Sequence, residues 1–594
     1  MRRSAVFEHR FRAPPERVFA ALGDTSRYNE AAGFPIHAIE DVTLPDGSRR
    51  FTGRAKLGPF TVAWEDRPCN WVRGRWFEHE RVFSAGPVDR LVASLTLEPA
   101  AGGGSLGRYR MEVDAHRALG RLALLTAFFP KSRALFHRLA DQADAWAAGE
   151  RAVVFDVPPP RLADGAAQRL GRAREALVTA GHPAALVERL AGLVAEGPEN
   201  DVVHIRPLGL ARTWGAPWRP VVELCLDATR HGLLASRWDL LCPRCRAAKA
   251  GSASLDRLPD GAHCSTCGID YGRDFARNVE LSFRPAESIR PLQQGEFCLL
   301  GPMSTPHIVA HLTVPAGSSR PAELVLPPGQ YRARTLEPGP EAEFDSSGGP
   351  VPGLVLREDG IAVDGGAGSG ELDNRTVATR TFVIEERAWI ADALTADRAT
   401  SLQAFRDLFA SDALRPGDQV GIERMTILFT DLRGSTALYG RIGDAGAYGR
   451  VREHFAFLGA IVRAHDGAVV KTIGDAVMAA FALPADGVRA ALAMQDRLAS
   501  LNSGAAAPLV LKIGVNAGPC IAVTMNERLD YFGQTVNLAA RLQGESRGGD
   551  VVVSAGLAAE AEVTAALAGR VVEPGRTSLQ GFTEAVDFVR VRVD

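Results

Sequence analysis

A multidomain α+β protein is what this sequence predicts, on three observations. Its 594 residues leave room for about four domains at roughly 150 residues each. Stretches with the period-two alternation of strands are interleaved with amphipathic helical segments along the chain. From Arg424 onward the order is strand, helices, β-hairpin, helix, strand and helix, with a tail closing on the strand DFVRVRV. That βαββαβ order is a ferredoxin-like core with a C-terminal extension.

Bulk properties exclude several function classes. Apolar residues make up 46% and charged residues 23%, an ordinary globular composition. A net charge of -2 gives no reason to expect general binding to nucleic acid or to an anionic membrane. The opening MRRSAVFEHRFRAPP lacks the apolar core of a signal peptide, and no run reaches the roughly 18 apolar residues of a membrane span. A cytoplasmic protein is expected. Of eight cysteines, four cluster while Cys69, Cys225, Cys298 and Cys520 are scattered. That pattern suits reduced thiols and one metal site better than a disulfide framework.

Residues 1–150 begin with a strand-like SAVFEHRFRA and a short helix, PPERVFAAL, with proline in its first turn. Alternating stretches follow, then a helical run from Ala118 to Ala148 whose apolar face includes Leu119, Leu122, Leu125, Phe129, Leu135, Phe136 and Leu139, with Pro130 expected to kink or split it. Strands wrapped on one long C-terminal helix resemble the START or polyketide-cyclase-like helix-grip family, a likeness of arrangement without a catalytic motif. The family often encloses an apolar ligand cavity, so a small apolar ligand here is one reading and a solid core the other.

Residues 151–241 hold a proline-rich linker, VVFDVPPPRLADG, then two amphipathic helices and a stretch patterned as a helix-turn-helix or winged-helix unit. Its second helix offers Arg219 against Glu223 and Asp227, a poor base-reading set, so a packing module is the reading. In residues 242–278, Cys242, Cys245, Cys264 and Cys267 form C-x2-C-x18-C-x2-C. Two such knuckles aim four thiolates at one ion, which predicts a zinc ribbon with a structural Zn²⁺ and no open position, His263 standing by and a redox dithiol as the lesser alternative. Residues 279–384 read as short strands with Gly/Pro turns, among them NVELSFRP, FCLLG and HIVAHLTV, in a small sandwich or barrel. His307 and His311 are expected on one strand face without a third ligand. Residues 385–420 read as helical, with Thr395 or Thr400 as internal caps and Leu402, Phe405 and Phe409 on one stripe.

The last unit, 421–594, carries the chemistry. RMTILFTD alternates as a buried strand ending on Asp431, and the following GST offers small residues whose backbone N–H groups can face a phosphate at a helix start. VVKTIGDAVMAAF places Asp475 at a hairpin tip. Two such acids can hold hard divalent cations. In RLDYFGQTVNLAARL, Asp530 precedes a helix on which Asn537 and Arg541 share one face.

The ordered set Asp431, Lys471, Asp475, Asp530, Asn537 and Arg541 resembles the class III nucleotidyl cyclases, over roughly residues 420–592. The resemblance implies that Asp431, Asp475 and the Leu432 carbonyl bind two Mg²⁺ or Mn²⁺ ions per active site, while Gly434, Ser435 and Thr436 cradle phosphates. It implies that Arg541 stabilises charge at the reacting phosphorus and that Asn537 orients the ribose. Lys471 and Asp530 would read the base, and their donor and acceptor character fits ATP. In the family the two halves of a site come from opposite subunits, so a homodimer follows. The segment before the unit resembles the family's coupling helix, which implies regulation by the N-terminal modules. Alternatives are a guanylate cyclase or a catalytically weak nucleotide-binding regulator. This chain departs from the family in a short GPCIAVTMNERL arm and in LQGFTEAV, which lacks a lysine that many members place there.

Overall fold

The computed structural model describes all residues except 44–48, 58–59, 265–266, 294–296, 299–300, 365–369, 389, 410–419, 506, 526–527, 583 and 594. In the N-terminal unit the strand Arg2–Phe11 pairs with Ser105–Asp114, followed outward by Arg90–Pro99 and Trp76–Ala85. Phe7, Phe11 and Leu95 of this sheet bury against Phe136, Leu139 and Ala143 of the helix Phe128–Ala147. The expected single helical run is two helices, Ala118–Thr126 and Phe128–Ala147, broken at Ala127 (φ -131) and not at Pro130. Pro130 falls in the first turn of the second helix, where a missing N–H breaks no intrahelical bond. Leu122 and Leu125, expected on the buried stripe, are each 57% exposed because their helix lies outside the main core.

The middle unit packs the helices Ala166–Thr179, Ala184–Glu196, Pro207–Trp214 and Trp218–Arg230 around a three-stranded sheet. Its central strand, Leu234–Leu241, pairs along its length with Val279–Pro285. That second strand, expected to open the β-rich unit, thus closes the middle unit instead. The four cysteines sit on the excursion between these two strands.

Two main sheets face each other in the β-rich unit, as a sandwich requires, beside a short two-stranded ribbon of Val325–Leu326 and Gly349–Pro350. One contains Ile308–Val314, Arg380–Glu386, Gly329–Thr335 and Glu341–Ser346; the other contains Ser318–Pro321, Glu371–Asn374, Gly353–Arg357 and Gly360–Asp364. Leu312, Tyr331, Leu354 and Phe382 fill the space between them. Ala310 and His311 also pair with Val72 and Trp71, so the first sheet runs on into the N-terminal unit as one 12-stranded sheet among the described residues. FCLLG is not a strand at its described residues: the Phe297 and Cys298 carbonyls accept hydrogen bonds from Asn29 and Ser26 side chains instead. His307 precedes its strand and bonds the Arg244 carbonyl, whereas His311 bonds the Cys69 carbonyl and stacks on Trp71 at 4.3 Å. A register shift between Ile308 and Ala310 separates the two histidines.

The helix expected over 385–420 is two short helices, Ala396–Thr400 and Gln403–Leu408, with 410–419 outside the described residues. The Thr400 hydroxyl donates to the Ala396 carbonyl and that of Ser401 to Arg398, local bonds that compete with continuing a helix.

Elements of the C-terminal unit are numbered here from its first strand: β1 (Val420–Leu432), α1 (Ser435–Ala464), β2 (Gly467–Ile473), β3 (Ala476–Phe481), α2 (Pro484–Asn502), β4 (Leu511–Met525), β5 (Arg528–Phe532) and α3 (Gln534–Glu545). The sheet order β2-β3-β1-β4, antiparallel throughout, is ferredoxin-like. β4 runs unbroken through Pro519. Pro519 lies where the β1 register shifts between Ile422 and Met425, a bulge at which no ladder N–H is needed. Leu428, Val477 and Ala479 bury against α1 and α2 on one face. On the other, Met425, Ile427, Phe429, Leu529 and Tyr531 share one apolar core with Leu226, Trp238 and Phe405. Among the described residues no helix is long and apolar enough to cross a membrane.

Candidate active site

β1 delivers Asp431 to its C-terminal end. Leu432 turns its side chain into the core and ends the strand opposite Leu511. Gly434 adopts φ 72, ψ 31 as the residue before α1, a left-handed conformation open to glycine, and Ser435 begins the helix. The Thr436 side chain lies outside the described ones. Asp475 occupies a two-residue loop between Ile473 and Ala476, whose first residue, Gly474, has φ 65. Glycine first is what such a tight hairpin turn demands.

These two turns bring the acids together. Burial, then the negative charge of Asp475, pushes the Asp431 carboxyl above its ordinary range. One Asp475 oxygen, Oδ2, is buried with no hydrogen-bond partner. Facing carboxylates with an orphaned buried oxygen fit a hard divalent cation. Sequence reasoning missed His454, which α1 buries completely beside the Asp475 backbone. Burial pushes it down to about 4, so it is a neutral imidazole at pH 7. Its helical spacing with Val451, Leu458 and Ile461 reads as core, which hides it.

The raised Asp431 carboxyl has a measurable consequence. An acid raised in the folded state opposes folding once ionised, so metal-free stability falls as pH rises from its ordinary value of 3.8 through the raised one. Without metal at pH 7, Asp431→Asn should therefore melt about 1–2 °C above wild type. Mn²⁺ should raise the melting point of the wild type more than that of the variant. A lower melting point for the variant in chelator would contradict the facing-carboxylate geometry.

Lys471 on β2 and Asp530 on β5 meet with Nζ to Oδ2 at 2.6 Å. Asp530 is 5% exposed, and its Oδ1 accepts the Tyr531 N–H at 2.8 Å. The Lys471 ammonium also stands 5.3 Å from the Phe532 ring centre. The short helices hold β5 from the other side: Arg406 donates to the Leu529 carbonyl at 3.0 Å and lies over the Tyr531 ring, while the Thr400 and Tyr531 hydroxyls are 3.1 Å apart.

Asn537 and Arg541 lie on α3, which packs closely on β4. A Cβ at Gly514 would stand 2.1 Å from the Gln543 backbone nitrogen. Thr535, Val536, Ala539 and Leu542 face inward, leaving Asn537 and Arg541 exposed on the outer face. Among the described residues neither side chain has a hydrogen-bond partner.

The four cysteines are a separate centre. Cys242, Cys245, Cys264 and Cys267 are buried, with all sulfurs within 4.8 Å of one another and the Cys245–Cys264 pair at 3.7 Å. A tetrahedral ion with bonds of about 2.3 Å holds its sulfurs about 3.8 Å apart, so the set fits zinc. Each knuckle is closed by a residue at positive φ, Arg246 (φ 60) and Gly268 (φ 62). His263 turns outward to Asp270 at 2.9 Å. Freshly purified protein should contain about one zinc per chain, and chelation should lower its melting temperature without entering catalysis. Elemental analysis finding no zinc in undepleted protein would sink this.

Comparison with known proteins follows the same division of the chain. Residues 419–584 match the model of the adenylate and guanylate cyclase catalytic domain, and residues 172–297 match a family of unknown function (DUF5939). Adenylate cyclase 1 of Rhizobium meliloti is 29% identical over 187 residues, covering 28% of this chain and 28% of that protein. Retinal guanylyl cyclase 1 of Homo sapiens is 31% identical over 189 residues, covering 29% and 17%. The chain thus spans under a third of the length of these relatives. Among solved structures, the adenylyl cyclase CyaB from P. aeruginosa is 23% identical, covering 30% of this chain and 96% of that one, with a TM-score of 0.27. The C-terminal unit of this chain, over residues 419–584, belongs to the adenylate and guanylate cyclase catalytic domain family.

Proposed function

We propose that this protein converts ATP into 3′,5′-cyclic AMP and pyrophosphate, at sites shared between two copies of the chain and regulated by the units N-terminal to the catalytic one. The observation that carries the choice of base is the Lys471–Asp530 pair, 2.6 Å apart. Lys471 only donates and ionised Asp530 only accepts. Adenine presents an acceptor at N1 and a donor at its 6-amino group, so it satisfies both, whereas guanine presents the reverse and leaves both mispaired. Without a base the two side chains satisfy each other.

Asp431 and Asp475, with the Leu432 carbonyl, would hold Mg²⁺ or Mn²⁺, two per site. Bound there, the ions would supply charge neutralisation on the triphosphate and polarisation of the ribose 3′-hydroxyl. The reaction forms a bond from O3′ to the α-phosphorus, breaks the bond from that phosphorus to the bridging oxygen, and releases pyrophosphate and the hydroxyl proton. Backbone N–H groups from Gly434 to Thr436 would face the phosphates. Arg541 would oppose charge developing at the phosphorus, and Asn537 would orient the ribose. Asn537 and Arg541 are exposed and without a hydrogen-bond partner among the described residues, which supports a partner copy as the place where they act. Regulation is supported by Arg406 and Thr400, which brace the strand that carries Asp530.

The test is purified protein with Mn²⁺ and either ATP or GTP, with cyclic nucleotide and pyrophosphate resolved by chromatography. Equal amounts of cyclic AMP and pyrophosphate are expected. Cyclic GMP as the main product would overturn the base assignment, and no product from either nucleotide would make the unit a nucleotide-binding regulator.

A further inference from the structure

Lys471 and Asp530 meet although, among the described residues, their strands share no ladder bond. β2 pairs with β3 and β5 with β4, and β3, β1 and β4 stand between the two in the sheet order. A contact of 2.6 Å across that gap has to be set by something outside the ladder. β2 is also an edge strand, so one row of its backbone N–H and C=O groups has no strand to bond. Its register shifts between Val469 and Lys471, which makes Val470 the extra residue of a bulge directly before Lys471. Such a bulge re-aims the side chain that follows it.

The short helix Gln403–Leu408 bridges the two strands from behind. The Val469 N–H donates to Gln403 Oε1 at 2.8 Å, and Gln403 Nε2 donates to Asp407 Oδ1 at 2.7 Å. An ionised carboxylate only accepts, so Asp407 fixes which end of the amide faces Val469. Arg406 gives both terminal nitrogens to the Leu529 carbonyl at 3.0 and 3.1 Å, one residue before Asp530, and its Nε to the Thr400 carbonyl at 3.0 Å. Residues 403 and 406 are i, i+3 neighbours on one helix face, so the helix fixes the distance between the two anchors. Phe405, buried edge-on against Trp238, pins that helix in the core shared with the middle unit.

We propose that Gln403 is a positioning residue for base selection: with Arg406 it sets the separation of Lys471 and Asp530 and touches no substrate itself, a role that rests on the base assignment proposed above. Lost base contacts weaken ground state and transition state alike, so they appear in KM before kcat. Lost stability, by contrast, lowers activity with ATP and GTP in the same proportion. The ratio of kcat/KM for ATP to that for GTP therefore separates positioning from structural support.

Gln403→Leu in the full chain removes the acceptor. It should lower kcat/KM for ATP about 10-fold, chiefly through KM, and narrow the ATP to GTP ratio about 3- to 10-fold. The Val469 amide should exchange with deuterium faster in that variant. Gln403→Glu with Asp407→Asn keeps the acceptor for Val469 and exchanges donor and acceptor in the second bond, so it should restore the ratio. Arg406→Met releases the other anchor and should narrow the ratio likewise, which decides the matter if Gln403→Leu does not fold. Should the chain bind nucleotides without turnover, Kd for ATP and GTP takes the place of kcat/KM. A wild-type chain that favours GTP, or neither nucleotide, overturns the base assignment and the role of Gln403 with it. A wild type that favours ATP, beside a folded Gln403→Leu or Arg406→Met chain with the same ratio or a double variant that fails to restore it, overturns the role of Gln403 alone.

Discussion

Asp475→Ala and Arg541→Ala chains, each nearly inactive when pure, should regain about a quarter of wild-type activity when mixed in equal amounts. In the proposed reaction Asp475, whose Oδ2 is buried without a hydrogen-bond partner, would hold the cations, so its loss would remove metal binding. In the same reaction Arg541 would oppose charge at the reacting phosphorus, and removing one such group costs about 100- to 1000-fold. If a site draws Asp475 from one chain and Arg541 from the other, a mixed dimer holds one doubly damaged site and one intact site. With free exchange half the dimers are mixed and half of their sites work, which gives the quarter. Exchange is checked by co-purifying two differently tagged chains. A mixture that exchanges yet stays as inactive as its components would show that each site is built within one chain.

The second large effect concerns the base. Lys471→Glu with Asp530→Cys turns the donor into an acceptor and removes the neighbouring carboxylate. ATP then meets a mismatch at N1 and loses its partner at the 6-amino group, while guanine gains an acceptor for its own donors. Two mispaired polar contacts weaken transition-state binding by about 2–6 kcal/mol, a loss in kcat/KM for ATP from roughly 30-fold to above 10,000-fold. Use of GTP should rise. The measurement is kcat/KM for both nucleotides in wild type and double variant. An unchanged preference for ATP over GTP would mean that another feature reads the base.

The C-terminal unit was the more legible part of this sequence because its signals are local. An alternating strand ending on Asp431, a Gly-Asp hairpin tip and an i, i+4 pair on a helix each announce themselves within a few residues. The structure realises all three as turn, loop and outer helix face. The cysteine knuckles are legible for the same reason. What escaped depends on partners distant in the chain. Val279–Pro285 carries an ordinary strand pattern, and nothing local says that it pairs with Leu234–Leu241. Likewise Asn70–Val72 joins Ile308–Val314 across more than 200 residues of chain. Pro130 misled by its residue type, since a proline in the first turn of a helix and one in its middle look alike until the helix start is known. His454 sits in a row of apolar helical positions, so its place beside Asp475 shows in three dimensions alone.

The apolar core that Trp238 and Phe405 share with Phe429 and Tyr531 predicts that the middle unit and the catalytic sheet unfold together. Stability in such a unit is held in common, because no interface inside it opens without exposing both sides. Backbone amides of Leu234–Leu241 should then exchange with deuterium by the same global opening as those of β1. A nucleotide bound near Lys471, binding the folded state alone, slows that opening for every amide in the unit. The half of the molecule that carries the four cysteines would thereby register occupancy of the catalytic half with no change in shape.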